Sequence, residues 1–351
     1  MSQRGEHTYQ EIMSQPEAWA EAIEVGHSAQ SALNRLWQES GARDLLFTGC
    51  GSTYYLSLAA AAVAREVGLA ARAMPASEVW LFPHLTGGRP GHSLLVAVSR
   101  SGETSETLHA VEAFRHAEGK TAVAVTCYPS SSLAQRCDAT LAVPGAQEVS
   151  VAQTRSFDSM LVLCQMLVGA LTREAGSQHR LDALPDLGRR LIESYGWLAA
   201  NLGEESLIQR FFFLGNGPRY GLACEAMLKM KEMSLSHSEA YHTLEFRHGP
   251  KSMVNEETLV IGLLSDQART QESAVLAEMK QLGGQTLVLT DGGGAVQLGG
   301  ADHQVRLESG LPESDRLVLY LPILQLLAYY RGMANGQDPD RPRNLTSVVA
   351  L

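Results

Sequence analysis

Short apolar runs alternate with longer amphipathic stretches along the chain, and this pattern predicts β-strands separated by α-helices. The predicted strands lie at residues 45–47, 94–98, 122–125 and 141–143 in the first half, and at residues 211–214, 259–264 and 286–289 in the second half. The predicted helices lie at residues 101–117, 219–233, 271–282 and 316–333. Apolar strands that alternate with helices are typical of a parallel sheet covered by helices. The sequence therefore predicts an α/β protein with parallel, doubly wound sheets.

The two halves of the chain resemble each other around one short motif. Residues 46–51 (LFTGCG) and 212–217 (FFLGNG) each run from an apolar strand into Gly-x-Gly, and a helical pattern follows both. Between the copies, residues 172–189 are polar and contain glycine and proline. A chain of 351 residues has room for two domains. We predict a first domain at residues 1–185, including an N-terminal helical segment, and a second at residues 186–351, with the boundary accurate to about ten residues.

Composition and charge argue against several classes of protein. Acidic residues outnumber basic ones by 38 to 28, so nucleic acid is not an expected partner. The apolar stretches at residues 56–64 and 317–330 are shorter or more interrupted than the ~18–20 residues of a bilayer span, and residues 1–7 contain no signal-peptide core. Five cysteines without a C-x-x-C pair indicate a reducing compartment and no structural zinc site. The expectation is a cytoplasmic protein that does not contact membranes.

Residues 99–104 (SRSGET) follow a predicted strand directly and precede a predicted helix. The hydroxyls of Ser99, Ser101 and Thr104 would gather with backbone N–H groups at a helix N-terminus, where an anion is favoured. The alternative is an ordinary serine N-cap. No Gly-Lys-Ser/Thr follows, which argues against a nucleotide P-loop. The density of hydroxyls at a strand end favours a phosphate cradle.

A second hydroxyl-bearing turn occupies residues 49–53 (GCGST), after the first predicted strand. Ser52 and Thr53 begin a helix at the edge where open α/β sheets bind ligands. Tyr54 stands in place of the third glycine of G-x-G-x-x-G, which argues against a dinucleotide site. The residues alone leave two interpretations open, a tight turn or a ligand-binding loop.

Three charged residues share one face of the helix that opens the second half. Glu225, Lys229 and Glu232 are spaced i, i+4 and i+7. A solvent-exposed salt-bridge ladder is one interpretation, and a functional role is the other, because the stripe would face the same sheet edge as the Gly-x-Gly turn. Residues 237–250 (HSEAYHTLEFRHGP) add three histidines, but without H-E-x-x-H they match no common metal-ligand spacing. A metal is therefore not expected there.

These motifs in order resemble the SIS (sugar isomerase) family, and in particular the isomerase half of glucosamine-6-phosphate synthase. The resemblance rests on E-x-x-L-K-x-K-E at residues 225–232, H-x-E-A-Y at 237–241 and E-x-x-H-G-P at 245–250. It extends over nearly the whole chain, through residues 10–16, 50–53, 99–104, 148–152, 325–329 and 341–345. It implies two tandem SIS domains, each a flavodoxin-like sandwich. No glutaminase half is expected, because the chain begins where the isomerase half would.

The resemblance also implies roles for individual residues. A sugar 6-phosphate would contact Ser52, Ser99, Ser101 and Thr104, and the sugar would lie against the backbone near Cys50, Gly51, Thr53 and Val151. Glu232 would move a proton between C1 and C2, with Lys229 beside it, and His248 from a neighbouring subunit would open the sugar ring. A homodimer with the active site at its interface, and no cofactor, is therefore expected.

Three positions differ from the pattern of the synthase. Arg100 replaces a glutamine, Gln153 replaces a serine that contacts the sugar, and Ser347 replaces the lysine that forms a Schiff base with the ketose. These three are retained as substrate-contacting candidates. The resulting interpretation is an enzyme that isomerises an amino-sugar or ketosamine 6-phosphate with release or transfer of the amine. A plain aldose–ketose isomerase and a non-catalytic phosphosugar sensor are the alternatives.

Overall fold

Two compact units make up the chain in the computed structural model, which describes residues 3–86, 91–117, 121–172, 178–292 and 301–348. The N-terminal unit comprises Ser14–Pro185 and Asn344–Leu351. The C-terminal unit comprises Met1–Met13 and Asp186–Arg343. Each unit thus combines one half of the chain with a short segment from the opposite terminus. Residues 173–177 of the polar stretch between the predicted domains lie outside the described residues.

Each unit contains a five-stranded parallel sheet. The N-terminal unit has β1 (Asp44–Gly49), β2 (Ala70–Pro75), β3 (Ser93–Val98), β4 (Ala122–Thr126) and β5 (Ala139–Ala142), and the C-terminal unit has β6 (Arg210–Gly215), β7 (His237–Tyr241), β8 (Thr258–Leu263), β9 (Gln285–Thr290) and β10 (His303–Arg306). The strand orders are β2-β1-β3-β4-β5 and β10-β9-β8-β6-β7. Numbered within its own unit, each sheet has the order 2-1-3-4-5, which is the flavodoxin-like doubly wound topology. The predicted fold class is confirmed.

Helices flank both sheets. They are α1 (Glu6–Met13), α2 (Gln15–Ser40), α3 (Ser52–Glu66), α4 (Ala76–Leu81), α5 (Ser105–Ala117), α6 (Ser132–Arg136), α7 (Arg155–Leu171), α8 (Leu184–Glu204), α9 (Pro218–Ser234), α10 (Arg269–Gln281) and α11 (Leu321–Ala334). The helix predicted from residue 101 begins only at Ser105, because residues 101–104 form the loop after β3. The helix predicted from residue 316 begins with the 3₁₀ turn Leu317–Tyr320.

The three strands that the apolar pattern missed, β2, β7 and β10, all lie at sheet edges, whereas the seven it predicted include one edge strand, β5, with a single buried residue. All six residues of β3 and of β8 are buried. In β2 and β10, most residues are only partly buried or exposed. The third missed strand, β7, has one buried residue, Ser238. An edge strand is covered less than a central one, so it needs no continuous apolar run, and three of the four edge strands lack that signal.

The repeated Gly-x-Gly motif adopts the same backbone conformation in both units. Gly51 and Gly217 precede α3 and α9 with φ values of +54° and +56°, a conformation that favours glycine. A Cβ atom at Gly49 would lie 2.5 Å from Thr53 Oγ1, and one at Gly215 would lie 2.5 Å from a backbone oxygen. Both turns therefore bring a helix close against the end of a strand.

The N-terminal segment belongs to the C-terminal unit because an aspartate near the other end of the chain holds it. Asp340 Oδ1 accepts hydrogen bonds from the backbone N–H and the hydroxyl of Thr8, at 2.7 and 2.8 Å. Thr8 lies in the first turn of α1, where a carboxylate satisfies unpaired N–H groups. A separate helix, α2, then begins at Gln15 with Pro16 in its first turn, where proline is well tolerated.

One segment among the described residues, Leu317–Ala334, is long and apolar enough to cross a membrane by length and composition. It is longer than the apolar run predicted there. However, 83% of it is buried inside the protein, as in the core helix of a globular unit. Its packing explains its apolar character without a bilayer.

Candidate functional site

The two hydroxyl-bearing loops meet at one point of the N-terminal sheet. β1 and β3 are neighbours, and Thr48 pairs with Ala97, so the two strands end side by side. The loop at residues 49–53 follows β1, and the loop at residues 99–104 follows β3. The chain leaves these two strands towards opposite sides of the sheet, which makes this the crevice where open α/β sheets bind ligands.

The loop after β1 is a rigid turn. Thr53 Oγ1 donates a hydrogen bond to the Cys50 carbonyl at 3.0 Å and accepts one from the Cys50 N–H at 2.9 Å. Ser52, the first residue of α3, is buried. The thiol of Cys50 contacts the Thr107 hydroxyl at 3.6 Å, and burial raises the pKa of that thiol. Cys50 is thus a neutral thiol at ordinary pH, which agrees with a contribution through its backbone.

The loop after β3 folds around the hydroxyl of Ser99. Ser99 Oγ accepts a hydrogen bond from Gly102 N–H at 3.1 Å and donates one to Thr104 Oγ1 at 3.4 Å. Ser101 Oγ accepts a hydrogen bond from Glu103 N–H at 3.1 Å. Gly102 has a φ of +66°, and a Cβ atom there would lie 2.1 Å from Ser131 Oγ, so the turn requires glycine. The structure therefore places three hydroxyls in one loop before α5.

The carboxylate of Glu103 is engaged away from these hydroxyls. Its Oε1 accepts a hydrogen bond from the backbone N–H of Ser132, at the start of α6, at 2.8 Å. That hydrogen bond holds the pKa of Glu103 below its ordinary value. The one acidic residue of the loop is therefore tied to a neighbouring helix rather than to the cradle.

Arg100 connects three segments of the N-terminal unit. Its guanidinium lies 3.1 Å from Glu148 Oε2, in an ion pair whose side chains are 8% and 0% exposed. It also donates hydrogen bonds to the carbonyls of Ser150, at 3.3 Å, and Ser347, at 3.2 Å. The charge of Arg100 is thus paired within the N-terminal unit. Through Arg100, the backbone of the C-terminal tail is held beside the loop that carries Ser99 and Ser101.

Glu148 organises the segment that carries two further substrate candidates. Its carboxylate accepts hydrogen bonds from the N–H and hydroxyl of Thr154, at 2.7 and 2.9 Å, and from the N–H and hydroxyl of Ser156, at 3.1 and 2.5 Å. Val151 and Gln153 lie in the loop that these bonds close. Gln153 Oε1 is buried and has no hydrogen-bond partner among the described residues. Glu148 has no predicted role, because its burial and its contacts with residues six and eight positions later arise only in the folded chain.

The charged stripe on α9 is a largely buried triad. Lys229 Nζ lies 3.3 Å from Glu225 Oε1 and 2.5 Å from Glu232 Oε2. The side chains of Glu225 and Lys229 are 0% and 1% exposed, whereas that of Glu232 is 18% exposed. Burial lowers the pKa of Lys229, but the two carboxylates more than offset this, and its net pKa lies above the ordinary value. An exposed ladder is therefore ruled out, and Glu232 is the carboxylate of the triad that solvent reaches.

The polar segment at residues 237–250 folds as β7 followed by two 3₁₀ turns. His237 pairs with Glu239 at 3.2 Å, and the ring of His242 stacks on that of Tyr220 with centroids 3.8 Å apart. The side chain of His248 is exposed at the end of the turn Glu245–Arg247. It is thus accessible from outside its own unit.

The corresponding crevice of the C-terminal unit contains a carboxylate. Glu272 on α10 is 0% exposed, and it accepts a hydrogen bond from Asn216 Nδ2 at 2.7 Å. It also accepts hydrogen bonds from the N–H and hydroxyl of Ser265, at 2.7 and 3.0 Å. Asn216 follows β6 and Ser265 lies beyond the end of β8, so the carboxylate bridges the two loops of the crevice. A phosphate is therefore disfavoured here by charge.

The protein is thus a duplicated ligand-binding α/β protein with two flavodoxin-like parallel sheets. The N-terminal unit has hydroxyl-bearing loops at its crevice, and the C-terminal unit has the buried lysine–carboxylate triad on α9. The family model of the SIS domain matches residues 40–170 and 208–329. These two ranges contain all ten strands described above. The chain belongs to the SIS domain family and carries two SIS domains, which confirms the predicted resemblance.

Glutamine–fructose-6-phosphate aminotransferase [isomerizing] from Pyrobaculum aerophilum is 33% identical to this chain, and the match covers 97% of this chain and 57% of that protein. The chain therefore spans about half the length of the curated relatives it matches. Among solved structures, glucosamine-6-phosphate deaminase from Thermotoga maritima is 26% identical with a TM-score of 0.71, covering 94% of this chain and 100% of that one. Tagatose-6-phosphate ketose/aldose isomerase from Escherichia coli is 23% identical with a TM-score of 0.84, covering 95% and 94% of the two chains, and it shows the shared fold.

Proposed function

We propose that this protein is a phosphosugar enzyme of the aldose–ketose isomerase type. Its proposed substrate is an amino-sugar or ketosamine 6-phosphate, from which it releases or transfers the amine at C1 or C2. The names of the three relatives above each include a sugar 6-phosphate, and two of them include a nitrogen-bearing reaction or sugar. These names support the substrate class.

The observation that carries the proposal is the triad on α9. Aldose–ketose interconversion needs one carboxylate that removes a proton from one carbon and returns it to the next. Glu232 suits this task because it is partly exposed, while its partner Lys229 is buried and stays charged. Glu225 is fully buried, so we assign it the role of holding Lys229 in place.

We assign the phosphate of the substrate to the crevice between β1 and β3. Ser52, Ser99, Ser101 and Thr104 supply hydroxyl and backbone donors there, and the Glu103 carboxylate is directed elsewhere. Val151 and Gln153 are assigned to the sugar, because the Gln153 oxygen, which no group in the described part of the chain pairs with, is an acceptor for a substrate hydroxyl or amine.

The proposed chemistry begins with opening of the sugar ring, which we assign to His248 of a neighbouring subunit. Glu232 then moves a proton between C1 and C2 through an enediol-type or enaminol intermediate. For a nitrogen-bearing substrate, this step converts the C–N single bond into an imine. Water hydrolyses the imine, so that the products are a sugar phosphate with a carbonyl group and the free amine.

The position of Ser347 supports amine release over covalent activation of a ketose. Serine has no amine with which to form a Schiff base, and the carbonyl of Ser347 is held by Arg100. A substrate that already carries nitrogen at C1 or C2 does not need the Schiff-base lysine that the synthase pattern has at the position of Ser347. We therefore propose release as the main direction of the reaction.

The proposal is tested by incubation with a panel of hexose, hexosamine and fructosamine 6-phosphates and their unphosphorylated forms. Ammonia, free amine, ketose and aldose are each measured, and binding is followed by calorimetry. We expect amine release from at least one phosphorylated substrate and no comparable binding of the unphosphorylated sugars.

Other outcomes distinguish the alternatives. Interconversion of aldose and ketose phosphates without turnover of nitrogen-bearing substrates would show a plain isomerase. Tight binding without any turnover would show a sensor. Equal affinity for fructose and fructose 6-phosphate would contradict the assignment of the phosphate cradle.

A further inference from the structure

Three potential metal ligands meet on the N-terminal unit, and none of them has a role in the proposed reaction. His27 lies on α2, and His179 and Asp182 lie on the 3₁₀ turn Gln178–Ala183. His27 Nε2 is 2.8 Å from Asp182 Oδ1, and His179 Nδ1 is 3.3 Å from Asp182 Oδ2. One ligand atom from each residue falls within 4.8 Å of the others.

The arrangement of the three side chains suits a single ion. The rings of His27 and His179 stack with centroids 4.8 Å apart and an angle of 27° between their planes, and each ring directs one nitrogen at the same carboxylate. Around a tetrahedral ion with bonds of ~2.0–2.1 Å, neighbouring ligand atoms lie ~3.3 Å apart. The two nitrogen–oxygen distances, 2.8 and 3.3 Å, run to different oxygens of Asp182, and the three ligand atoms lie within 4.8 Å of one another, so a bound ion would draw the side chains together.

The ligand types indicate a transition metal. Two imidazole nitrogens with one carboxylate oxygen favour Zn²⁺, Ni²⁺ or Cu²⁺, whereas Mg²⁺ and Ca²⁺ prefer sites made of oxygen ligands. In the metal-bound state, the ring nitrogens that face Asp182 would each offer a lone pair to the ion.

The site is open to solvent. The side chains of His27, Asp182 and His179 are 29%, 48% and 75% exposed, so an ion reaches them without unfolding and keeps water in its remaining positions. Three protein ligands and open positions distinguish this site from a closed structural zinc site.

We propose that His27, His179 and Asp182 form a reversible binding site for a divalent transition metal, with Zn²⁺ as its representative. The bound ion would link α2 to the turn that precedes α8, and it would thereby stabilise the N-terminal unit. No motif in the sequence indicates this site, because α2 and the turn are far apart along the chain and the two histidines have no ligand spacing.

The test is calorimetric titration of the full chain, without an affinity tag, with ZnCl₂ and separately with MgCl₂. We expect one equivalent of Zn²⁺ to bind and Mg²⁺ to show no saturable binding. His27→Ala, His179→Ala and Asp182→Asn should each weaken Zn²⁺ binding by about tenfold or more. The matched control is His116→Ala, because His116 is an exposed histidine on α5 bonded to its own helix carbonyl at 2.7 Å, and this variant should bind Zn²⁺ like the parent.

A thermal-shift measurement provides an independent readout. Zn²⁺ should raise the midpoint of unfolding of the parent chain and of the His116 variant, but not that of the double variant His27→Ala/His179→Ala. Circular dichroism confirms that each variant is folded before titration. Absence of saturable Zn²⁺ binding by the parent, equal binding by the folded double variant, or equal binding of Mg²⁺ would each overturn the proposal.

Discussion

At the scale of single residues, the triad on α9 assigns different tasks to two carboxylates that look equivalent along the sequence. Both glutamates lie within an ion-pair distance of Lys229, but only Glu232 is accessible to solvent. A proton acceptor must reach the substrate, whereas a residue that only keeps the lysine in position does not. The i, i+4, i+7 spacing predicted that the three charged residues lie together, and burial decided which of the two carboxylates can reach a substrate.

The first prediction concerns Glu232→Gln, which preserves the shape of the side chain and removes the proton acceptor. We expect substrate affinity to stay within a few-fold of the parent value and kcat to fall by ~10²–10⁴-fold, the usual size of a general-base contribution. Steady-state kinetics and calorimetry on the substrate identified from the panel measure these two effects separately.

Glu225→Gln is the matched control for this variant. It should reduce kcat much less, and it should lower the free energy of unfolding, because it removes a fully buried partner of the Lys229 charge. Equal losses of kcat in the two variants would mean that the stripe is structural and that Glu232 is not the base.

At the scale of elements, Arg100 links three segments: the loop after β3, the segment after β5 and the C-terminal tail. Arg100→Ala would leave the buried Glu148 carboxylate without its ion-pair partner, although it keeps the hydrogen bonds from Thr154 and Ser156. We expect the free energy of unfolding, measured with urea, to fall by about 3 kcal/mol. The tail near Ser347 should also become more susceptible to limited proteolysis.

The comparison variant is Arg136→Ala, which removes a partner of Glu112 in an ion pair whose side chains are 41% and 50% exposed. An exposed pair contributes about 0–1 kcal/mol. If Arg100→Ala destabilises the protein no more than Arg136→Ala does, Arg100 does not connect these segments as described.

At the scale of the whole molecule, the two sheets have the same topology but different crevices. In the N-terminal unit the crevice has hydroxyl and backbone donors, and in the C-terminal unit the Glu272 carboxylate bridges the loops. We therefore predict that one chain binds one phosphosugar. Calorimetry should give a stoichiometry near one, and Ser101→Ala should weaken that single binding event. Two equivalent binding events per chain would contradict the distinction between the crevices.

The proposed contribution of His248 from a neighbouring subunit gives a further prediction at this scale. Glu232→Gln and His248→Ala protomers should each be nearly inactive, and a mixture should recover activity as subunits exchange, because one site in a hybrid dimer has both groups intact. Activity is followed after mixing, and native mass spectrometry verifies the exchange. No recovery in a sample with proven hybrids would place His248 in the site of its own chain.

The sequence by itself determined the α/β class, the duplication, the hydroxyl-bearing loops and the charged stripe on α9. Each of these is encoded locally, in the periodicity of apolar residues, the Gly-x-Gly turns or the i, i+4, i+7 spacing. The tertiary structure alone decided that the loops after β1 and β3 become neighbours, that Asp340 holds Thr8, and that Arg100 binds Glu148 and the carbonyl of Ser347. These contacts join residues far apart along the chain. Strand order and burial bring them together, and no pattern within a short stretch of sequence carries that information.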